Sequence, residues 1–279
     1  MIGQQELLNI FDLMISTDKL PHFIILVGTV GSGRKTLVRE IIVPKFENKV
    51  VWLSDIDTNG MRQVSHDAYE KHNTLFVIPD ADSMRNSAKN ALLKVVEECP
   101  NNNYFVLTLE NLENTLDTIK SRGAVFRMLP YSSAELISYA KSKYDDVMGW
   151  VERDAVRYVC ETPGDVDTLF KYDIQKFMDY VTLVYENIEK VSGANVFKKK
   201  KKIALQDGSD GYDMKLFLRA FMHKCMDGMR SGDRLTALKC SRGIRCTSRC
   251  LNDLYITGIH KQSAFDMWIL DIRQEWMES

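Results

Sequence analysis

A short apolar run that ends in a glycine-rich loop constrains the fold of this chain more than any other feature. Residues 23–27 read Phe-Ile-Ile-Leu-Val, and glycines follow at positions 28, 31 and 33. A continuous run of branched and aromatic residues indicates a strand buried on both faces, as in parallel sheets. A helical pattern then runs from Lys35 to Ile42. The succession of strand, glycine loop and helix predicts an α/β domain whose loop can hold phosphate.

Further strands and helices follow in alternation. The apolar runs at 50–53, 74–78 and 104–109 indicate strands, and residues 87–98 have the spacing of an amphipathic helix. Such alternation implies right-handed crossovers and a parallel sheet covered on both faces. We therefore expect an α/β domain over residues 1–130.

Beyond Pro130, apolar residues recur at helical spacing almost throughout. The pattern breaks at Pro163-Gly164 and at 192–212. This predicts a small helical domain over residues 131–172 and an all-α domain over residues 173–279. Helices are expected at residues 133–144, 151–161, 165–171, 173–191, 213–229, 233–256 and 262–277.

Charge and hydropathy narrow the classes of partner. The net charge is −1, so no global positive field draws the whole molecule to nucleic acid, and a DNA contact has to be local or shared with partners. The basic run Lys198–Lys202 is interpreted as a solvated loop between helices. No signal peptide and no apolar stretch of about 20 residues is apparent, so we expect a cytoplasmic protein without membrane contact.

The six cysteines include no Cys-x-x-Cys pair, which makes disulfides unexpected. Three of them, Cys240, Cys246 and Cys250, lie close together in the sequence. Cys246 and Cys250 would share one face of a helix and could ligate zinc, although a fourth ligand is not evident. Buried cysteines that pack as small apolar side chains are the alternative.

The glycine loop has the setting of a phosphate loop but not its usual chemistry. In the pattern G-x-x-x-x-G-K-[ST], a lysine reaches the phosphates and the next hydroxyl binds magnesium. Arg34 and Lys35 stand at these two places. Arginine is a larger planar fork and lysine cannot ligate magnesium, so the loop is interpreted as degenerate. A shifted register in which Lys35 and Thr36 serve the phosphates is the alternative.

The acidic half of the site is also incomplete. Such sites end a strand with one acid that holds magnesium and one that polarises water. Here the run at 75–78 is followed by Pro79-Asp80-Ala81-Asp82, so Asp80 remains where two acids are expected. The candidate nucleotide-binding residues are therefore Gly28, Gly31, Gly33, Arg34, Lys35, Thr36 and Asp80, with no resident metal expected.

Two stretches of the first domain match longer motifs. Asp80-Ala-Asp-Ser-Met84, followed by Asn90-Ala-Leu-Leu-Lys-Val-Val-Glu-Glu98, is similar to D-A-D-x-M and N-A-L-L-K-x-x-E-E. Leu107-Thr-Leu-Glu-Asn111 and Thr118-Ile-Lys-Ser-Arg-Gly123 are similar to T-x-E-N and T-I-x-S-R-C, with glycine in place of the last cysteine. With these motifs the chain resembles the AAA+ subunits of sliding-clamp loaders, most of all those of the bacterial delta-prime type.

The resemblance implies a function for one arginine. In this family, the arginine of the Ser-Arg-Cys motif contacts phosphates bound by the neighbouring subunit. Ser121 and Arg122 match that motif, so Arg122 would act in trans on ATP held by a neighbour. A guanidinium supplied in this way stabilises the charge that develops on the transferred phosphoryl group.

The resemblance also implies an architecture and partners. The α/β domain would be an AAA+ domain, followed by a helical lid and a collar that joins other AAA+ loader subunits in a pentameric ring. Asp167 matches the place of a sensor arginine in the lid. The ring would act on a sliding clamp and on primer–template DNA through backbone contacts. No cysteine occurs in residues 37–78, where relatives often carry a zinc module, which suggests a compact subunit of phage or mobile-element type.

Three functions remain open on the sequence. The first is a non-hydrolysing, delta-prime-like stator that supplies Arg122 in trans. For this stator we expect ATP or ADP and magnesium to be bound weakly at its own phosphate loop, or to be bound by the neighbouring subunit. The second is an active ATPase motor in which Lys35 and Thr36 bind phosphate and Asp80 or Asp82 serves magnesium. The third is an AAA+-like adaptor scaffold without catalytic contribution.

Overall fold

The structure is a computed structural model that describes residues 2–47, 49–53, 57–189, 203–204, 211–231, 233–254 and 260–277. The basic run Lys198–Lys202 lies outside the described residues. The chain divides into two compact units. The first comprises Met1–Tyr131 with Thr162–Gly164, and the second comprises Ser132–Glu161 with Asp165–Ser279.

The first unit contains a five-stranded sheet in the order β2-β3-β4-β1-β5, and every neighbouring pair is parallel. The predicted parallel α/β fold is thereby confirmed. Its strands are β1 (Phe23–Val27), β2 (Val50–Trp52), β3 (Leu75–Ile78), β4 (Tyr104–Leu109) and β5 (Ala124–Arg127).

The central strands are buried on both faces, as the continuous apolar runs predict. In β1, Phe23, Ile25 and Val27 enter one hydrophobic core, whereas Ile24 and Leu26 enter a second core on the other side of the sheet. Successive side chains of a strand point to opposite faces. Helices must therefore cover both faces, and they do so with apolar residues that join the two cores.

Five helices surround this sheet. The segment after β1 begins as α-helix and continues as a π-helical turn at Val38–Ile42 and a 3-10 turn at Val43–Phe46, where Pro44 interrupts the helical hydrogen bonds. The helices are α1 (Gln5–Ser16), α2 (Arg34–Leu37), α3 (Thr58–Glu70), α4 (Asn86–Glu98) and α5 (Asp117–Lys120).

Four elements of this unit were not expected from the sequence: α1, α3, α5 and β5. Asp57 caps the start of α3, where its side chain accepts a hydrogen bond from Gly60 N at 2.7 Å. Few apolar residues occur in α3, so its periodicity is weak. In β5, half-buried and exposed residues alternate because this strand lies at the edge of the sheet.

The second unit is mostly helical, as predicted. A short parallel pair of strands, β6 (Ile203–Ala204) and β7 (Tyr212–Asp213), departs from the all-α domain expected over residues 173–279. Ser132 and Glu135 form a reciprocal capping box at the start of the first helix of this unit. Pro163 is the first residue of a helix rather than a break, because the fixed φ of proline and its missing N–H suit that position. The helices are α6 (Ser133–Tyr144), α7 (Trp150–Val159), α8 (Pro163–Leu169), α9 (Ile174–Asn187), α10 (Met214–Ser231), α11 (Arg234–Asp253) and α12 (Lys261–Met277).

The three cysteines considered as zinc ligands are buried on α11. Cys240 Sγ lies 3.2 Å from the Tyr185 hydroxyl, and Cys250 Sγ lies 3.6 Å from the Ala264 carbonyl oxygen. Burial raises the pKa of the Cys250 thiol to about 12, which disfavours the thiolate that zinc requires. These cysteines pack as apolar side chains within the helical unit. No described helix is long and apolar enough to cross a membrane.

Candidate functional site

The phosphate loop follows β1 directly. Gly28 N donates to Leu109 O at 3.0 Å, which holds the start of the loop to β4. Gly31 and Gly33 have φ angles of 80° and 89°, which lie in the left-handed region that side chains disfavour. Both glycines are therefore needed for the turn that the sequence predicted.

The basic residues of the loop bind the acid at the end of β3. Lys35 Nζ lies 2.5 Å from Asp80 Oδ2, and Arg34 Nη2 lies 3.4 Å from Asp80 Oδ1. The Arg34 side chain is only 7% exposed, whereas that of Asp80 is 52% exposed. Both carboxylate oxygens of Asp80 thus face cations of its own chain. The third predicted loop residue, Thr36, lies exposed on α2.

Backbone and side chains of the same unit also cover the loop. The Tyr131 hydroxyl donates to Ser32 O at 2.8 Å, and Gly164 N donates to Gly31 O at 3.1 Å. A Cβ on Gly164 would lie 2.4 Å from Gly31 Cα, so the two backbones can approach this closely only because both residues are glycine.

The second aspartate after β3 has a structural function. Asp82 accepts hydrogen bonds from Glu110 N at 2.6 Å, Asn111 N at 3.1 Å and Asn114 Nδ2 at 3.2 Å. These bonds connect the end of β3 to the end of β4. Asp82 could hold magnesium only after these hydrogen bonds were broken, which does not favour the motor interpretation.

The residues present do not fit a magnesium–ATP centre. Two buried polar atoms of the loop, Ser32 Oγ and Arg34 Nη1, have no hydrogen-bond partner among the described residues, so an anion could be accommodated there. A magnesium ion, however, needs oxygen ligands. Pro79 offers no side-chain oxygen, Asp80 is paired with two cations, and Lys35 stands where a hydroxyl is required.

The Ser121-Arg122 pair lies at the end of α5. Arg122 Nη1 donates to Thr118 O at 2.9 Å and lies 3.4 Å from Ser121 Oγ, which itself donates to Thr118 O at 3.1 Å. Arg122 Nε forms a close ion pair with a Glu97 carboxylate oxygen on α4. The Arg122 side chain is nevertheless 41% exposed.

Packing explains why glycine follows this arginine in place of the family's cysteine. A Cβ at Gly123 would lie 2.5 Å from Ile25 Cδ1 and 2.6 Å from Ile25 Cγ1. The buried side chain of β1 therefore fills the space that a cysteine would need. The departure from the motif leaves the Ser-Arg part unchanged.

Asp167, which stands at the position that matches a sensor arginine, contacts three side chains of the second unit. Its carboxylate accepts hydrogen bonds from the Tyr139 hydroxyl at 2.9 Å, from Lys143 Nζ at 2.8 Å and from the Tyr144 hydroxyl at 3.0 Å. Burial raises the pKa of Asp167, but these hydrogen bonds lower it more, and the net shift is downward. The carboxylate therefore connects α6 to α8.

Sequence reasoning missed several partners at these sites. The sequence did contain a signal for Glu97, because this residue lies in the N-A-L-L-K-x-x-E-E stretch. It contained no such signal for Tyr131 and Gly164, because their contacts with the loop span 99 residues in one case and 133 in the other, and no local pattern encodes such contacts.

Comparisons with known proteins agree with the resemblance. A family profile described as "DNA polymerase III, delta subunit" matches residues 38–132. Replication factor C subunit 5 of Mus musculus is 27% identical over 144 residues, which are 47% of this chain and 42% of the relative. Replication factor C subunit 3 of Saccharomyces cerevisiae is 28% identical over 141 residues, 46% of this chain and 41% of the relative. The matched segments thus span less than half of each relative.

Solved structures with the same fold include the RuvB Holliday junction branch migration motor of Thermotoga maritima. It superposes with a TM-score of 0.51 at 18% identity, over 87% of this chain and 83% of that chain. A variant of the same motor gives a TM-score of 0.52. At this identity the likeness concerns the fold alone, a parallel α/β sheet followed by helices. The resemblance to AAA+ clamp-loader subunits is confirmed.

Proposed function

We propose that this chain, which resembles clamp-loader subunits over its first half, is a delta-prime-like stator of a clamp loader. It assembles with ATP-hydrolysing AAA+ subunits, does not hydrolyse ATP itself, and supplies Arg122 to ATP held by a neighbour. The observation that carries the proposal is the contrast between two arginines. Arg34 is buried and pairs with Asp80 of its own chain, whereas Arg122 is 41% exposed at the end of α5.

Charge balance supports the non-hydrolysing half of the proposal. A phosphate that entered the loop would have to take Arg34 and Lys35 away from Asp80, at 3.4 and 2.5 Å. Magnesium would then find one carboxylate, Asp80, and no second acid at Pro79. Such a site lacks the acid that would hold magnesium, and Asp80 alone cannot both bind the metal and polarise the attacking water.

The partner set belongs to the same proposal. The helical segment 131–172 acts as a lid, and the segment 173–279 acts as the collar that joins a pentameric ring of AAA+ subunits. The ring grips a sliding clamp and contacts primer–template DNA through backbone phosphates, which are recognised without regard to sequence. The complex works in the cytoplasm.

A binding titration of the purified chain tests the nucleotide half. We expect no magnesium-dependent ATP affinity in the micromolar range by isothermal calorimetry, and no turnover. Micromolar affinity together with turnover in the isolated chain would instead establish the active motor.

A reconstituted complex tests the arginine. We expect Arg122→Ala to lower the ATPase rate of the complex formed with its co-purifying AAA+ subunits by about 10³-fold, the lower range for an arginine supplied in trans. Assembly on a sizing column should persist. The exposed Arg127→Ala, on the edge strand β5, serves as the matched control. An unchanged rate in the Arg122 variant would support the adaptor scaffold.

A further inference from the structure

Glu97 holds the exposed arginine within its own subunit. Arg122 Nε pairs with a carboxylate oxygen of Glu97, and Arg122 Nη1 donates to Thr118 O at 2.9 Å. A guanidinium has five N–H donors, one on Nε and two on each Nη atom. The contacts with Glu97, Thr118 and Ser121 engage Nε and Nη1, and among the described residues no contact engages Nη2.

The helix that carries Glu97 is itself firmly placed. On α4, Ala88, Leu92, Val95 and Val96 are buried in the core on one face of the sheet. Glu97 follows Val96 directly, so its backbone is fixed by that packing. The nearby Lys120 does not compete for Glu97, because it pairs with Asp117 at 3.0 Å and Glu113 at 3.4 Å.

We propose that Glu97 is a positioning residue for Arg122. Its carboxylate holds the guanidinium at Nε. The Nη2 group is then left to donate to a phosphate oxygen of the neighbouring subunit. The inference rests on the proposed function and adds the residue that orients the arginine. A long arginine side chain that must otherwise be ordered at each turnover loses rotamer entropy, and this pairing removes that cost beforehand.

A second effect of Glu97 on the rate of ATP hydrolysis has the opposite sign. If the carboxylate withheld positive charge from the phosphate, its removal would accelerate ATP hydrolysis. Both side chains are more than 40% exposed, so solvent screens the unfavourable interaction of the carboxylate with a phosphate. Orientation is therefore expected to outweigh charge.

The test is a double-mutant cycle in the complex reconstituted with the co-purifying AAA+ subunits. We expect Glu97→Ala to lower kcat by about 10- to 100-fold, the range for a displaced catalytic group, with KM for ATP unchanged. Glu97→Gln, which keeps an acceptor oxygen, should recover part of the loss. Because Glu97 acts through Arg122, adding Glu97→Ala to Arg122→Ala should cause no further loss.

Glu98→Ala, a neighbouring exposed acid on α4, is the matched control and should keep the native kcat. Thermal unfolding of each variant shows whether the unit stays folded. An unchanged or increased kcat in Glu97→Ala, or a further loss in the double variant as large as in the single one, would overturn the inference. If Arg122→Ala itself has no effect, the proposed function fails instead, and the two failures are distinguished.

Discussion

Two arginines of the first unit, Arg34 and Arg122, show how similar charges are put to different uses. Each is paired with a carboxylate of its own chain, Asp80 in one case and Glu97 in the other. Arg34 is 7% exposed and Arg122 is 41% exposed. A buried guanidinium needs a carboxylate of its own chain beside it, because an uncompensated charge in the interior is energetically unfavourable. An exposed guanidinium such as that of Arg122 keeps Nη2, which no described residue contacts.

The largest effect is expected from restoring the phosphate loop. The double variant Arg34→Lys/Lys35→Thr re-creates the Gly-Lys-Thr sequence and releases Asp80 from its pairs. We expect about 10- to 100-fold tighter ATP binding by the isolated chain, because a charge-assisted hydrogen bond contributes about 1.5–3 kcal/mol. A fluorescent ATP analogue, titrated with and without magnesium, measures the effect.

Turnover should remain absent in this double variant, because Pro79 still occupies the place of an acid. The single variant Arg34→Lys is the control, since it keeps the Lys35–Asp80 pair at 2.5 Å. No gain in affinity would mean that the contact between Gly164 and Gly31, and not the basic residues, closes the loop.

A smaller effect is expected at Gly123, beside the exposed arginine. Gly123→Ala places a methyl group about 2.5 Å from Ile25 Cδ1, so we expect the first unit to lose about 1–3 kcal/mol of unfolding free energy through overpacking. Urea unfolding followed by circular dichroism measures this.

Gly149→Ala is the matched glycine control. A Cβ there would meet Glu152 Oε2, the end of a flexible side chain that can move away. Equal losses in both variants would contradict the packing explanation for the missing cysteine of the motif.

The third prediction concerns the acid that compensates Arg34 and Lys35. Asp80 has φ 51°, a conformation that asparagine also tolerates, so Asp80→Asn removes charge without straining the backbone. We expect a loss of about 1 kcal/mol in unfolding free energy, the upper range for exposed pairs. The loss should shrink at high salt.

Asp18→Asn offers a close control for that experiment. Asp18 also has a positive φ, 54°, and pairs with one lysine, Lys45, at 2.6 Å, but its side chain is 87% exposed. Its substitution should cost less than that of Asp80. The reverse order would argue against a special function of the Asp80 pairs.

The smallest effect is expected at Asp167 in the second unit, whose charge is also used internally. Its pKa in the folded chain lies below the usual value, so its stabilising effect is present above that value and is lost as pH falls through the folded pKa. Asp167→Asn should therefore cost up to about 1 kcal/mol at neutral pH, since the pair with Lys143 is partly exposed.

The difference between the native chain and the Asp167 variant should shrink as the pH falls below the usual aspartate pKa, and should vanish once the native carboxyl is protonated as well. Unfolding measured from pH 7 downward tests this. Asp179→Asn is the control, because Asp179 bonds only the Gln175 amide among the described residues, at 2.8 Å. A difference that does not depend on pH would show that Asp167 acts through shape and not through charge.

Local patterns were sufficient for most elements of the fold. The apolar runs predicted the buried strands β1, β3 and β4, because side chains that face two cores must all be apolar. The helix α6 was predicted to the residue at 133–144, since its capping box is a local signal. The edge strand β5 and the polar helix α3 were missed because half or more of their residues face solvent.

The candidate site divides in the same way. The sequence by itself determined which chemical groups are available: arginine and lysine where a phosphate loop needs lysine and a hydroxyl, proline where an acid is needed, and an intact Ser121-Arg122 pair. Those statements follow from residue identity and spacing, which do not depend on contacts.

Only the tertiary structure decided what each group contacts. Arg34 and Lys35 pair with Asp80, and Arg122 pairs with Glu97. Asp82 and Asp167 accept hydrogen bonds from backbone and side-chain groups. These contacts join residues 24 to 46 positions apart. The physical reason is that an ion pair depends on distance and burial, and both arise when separate segments pack together.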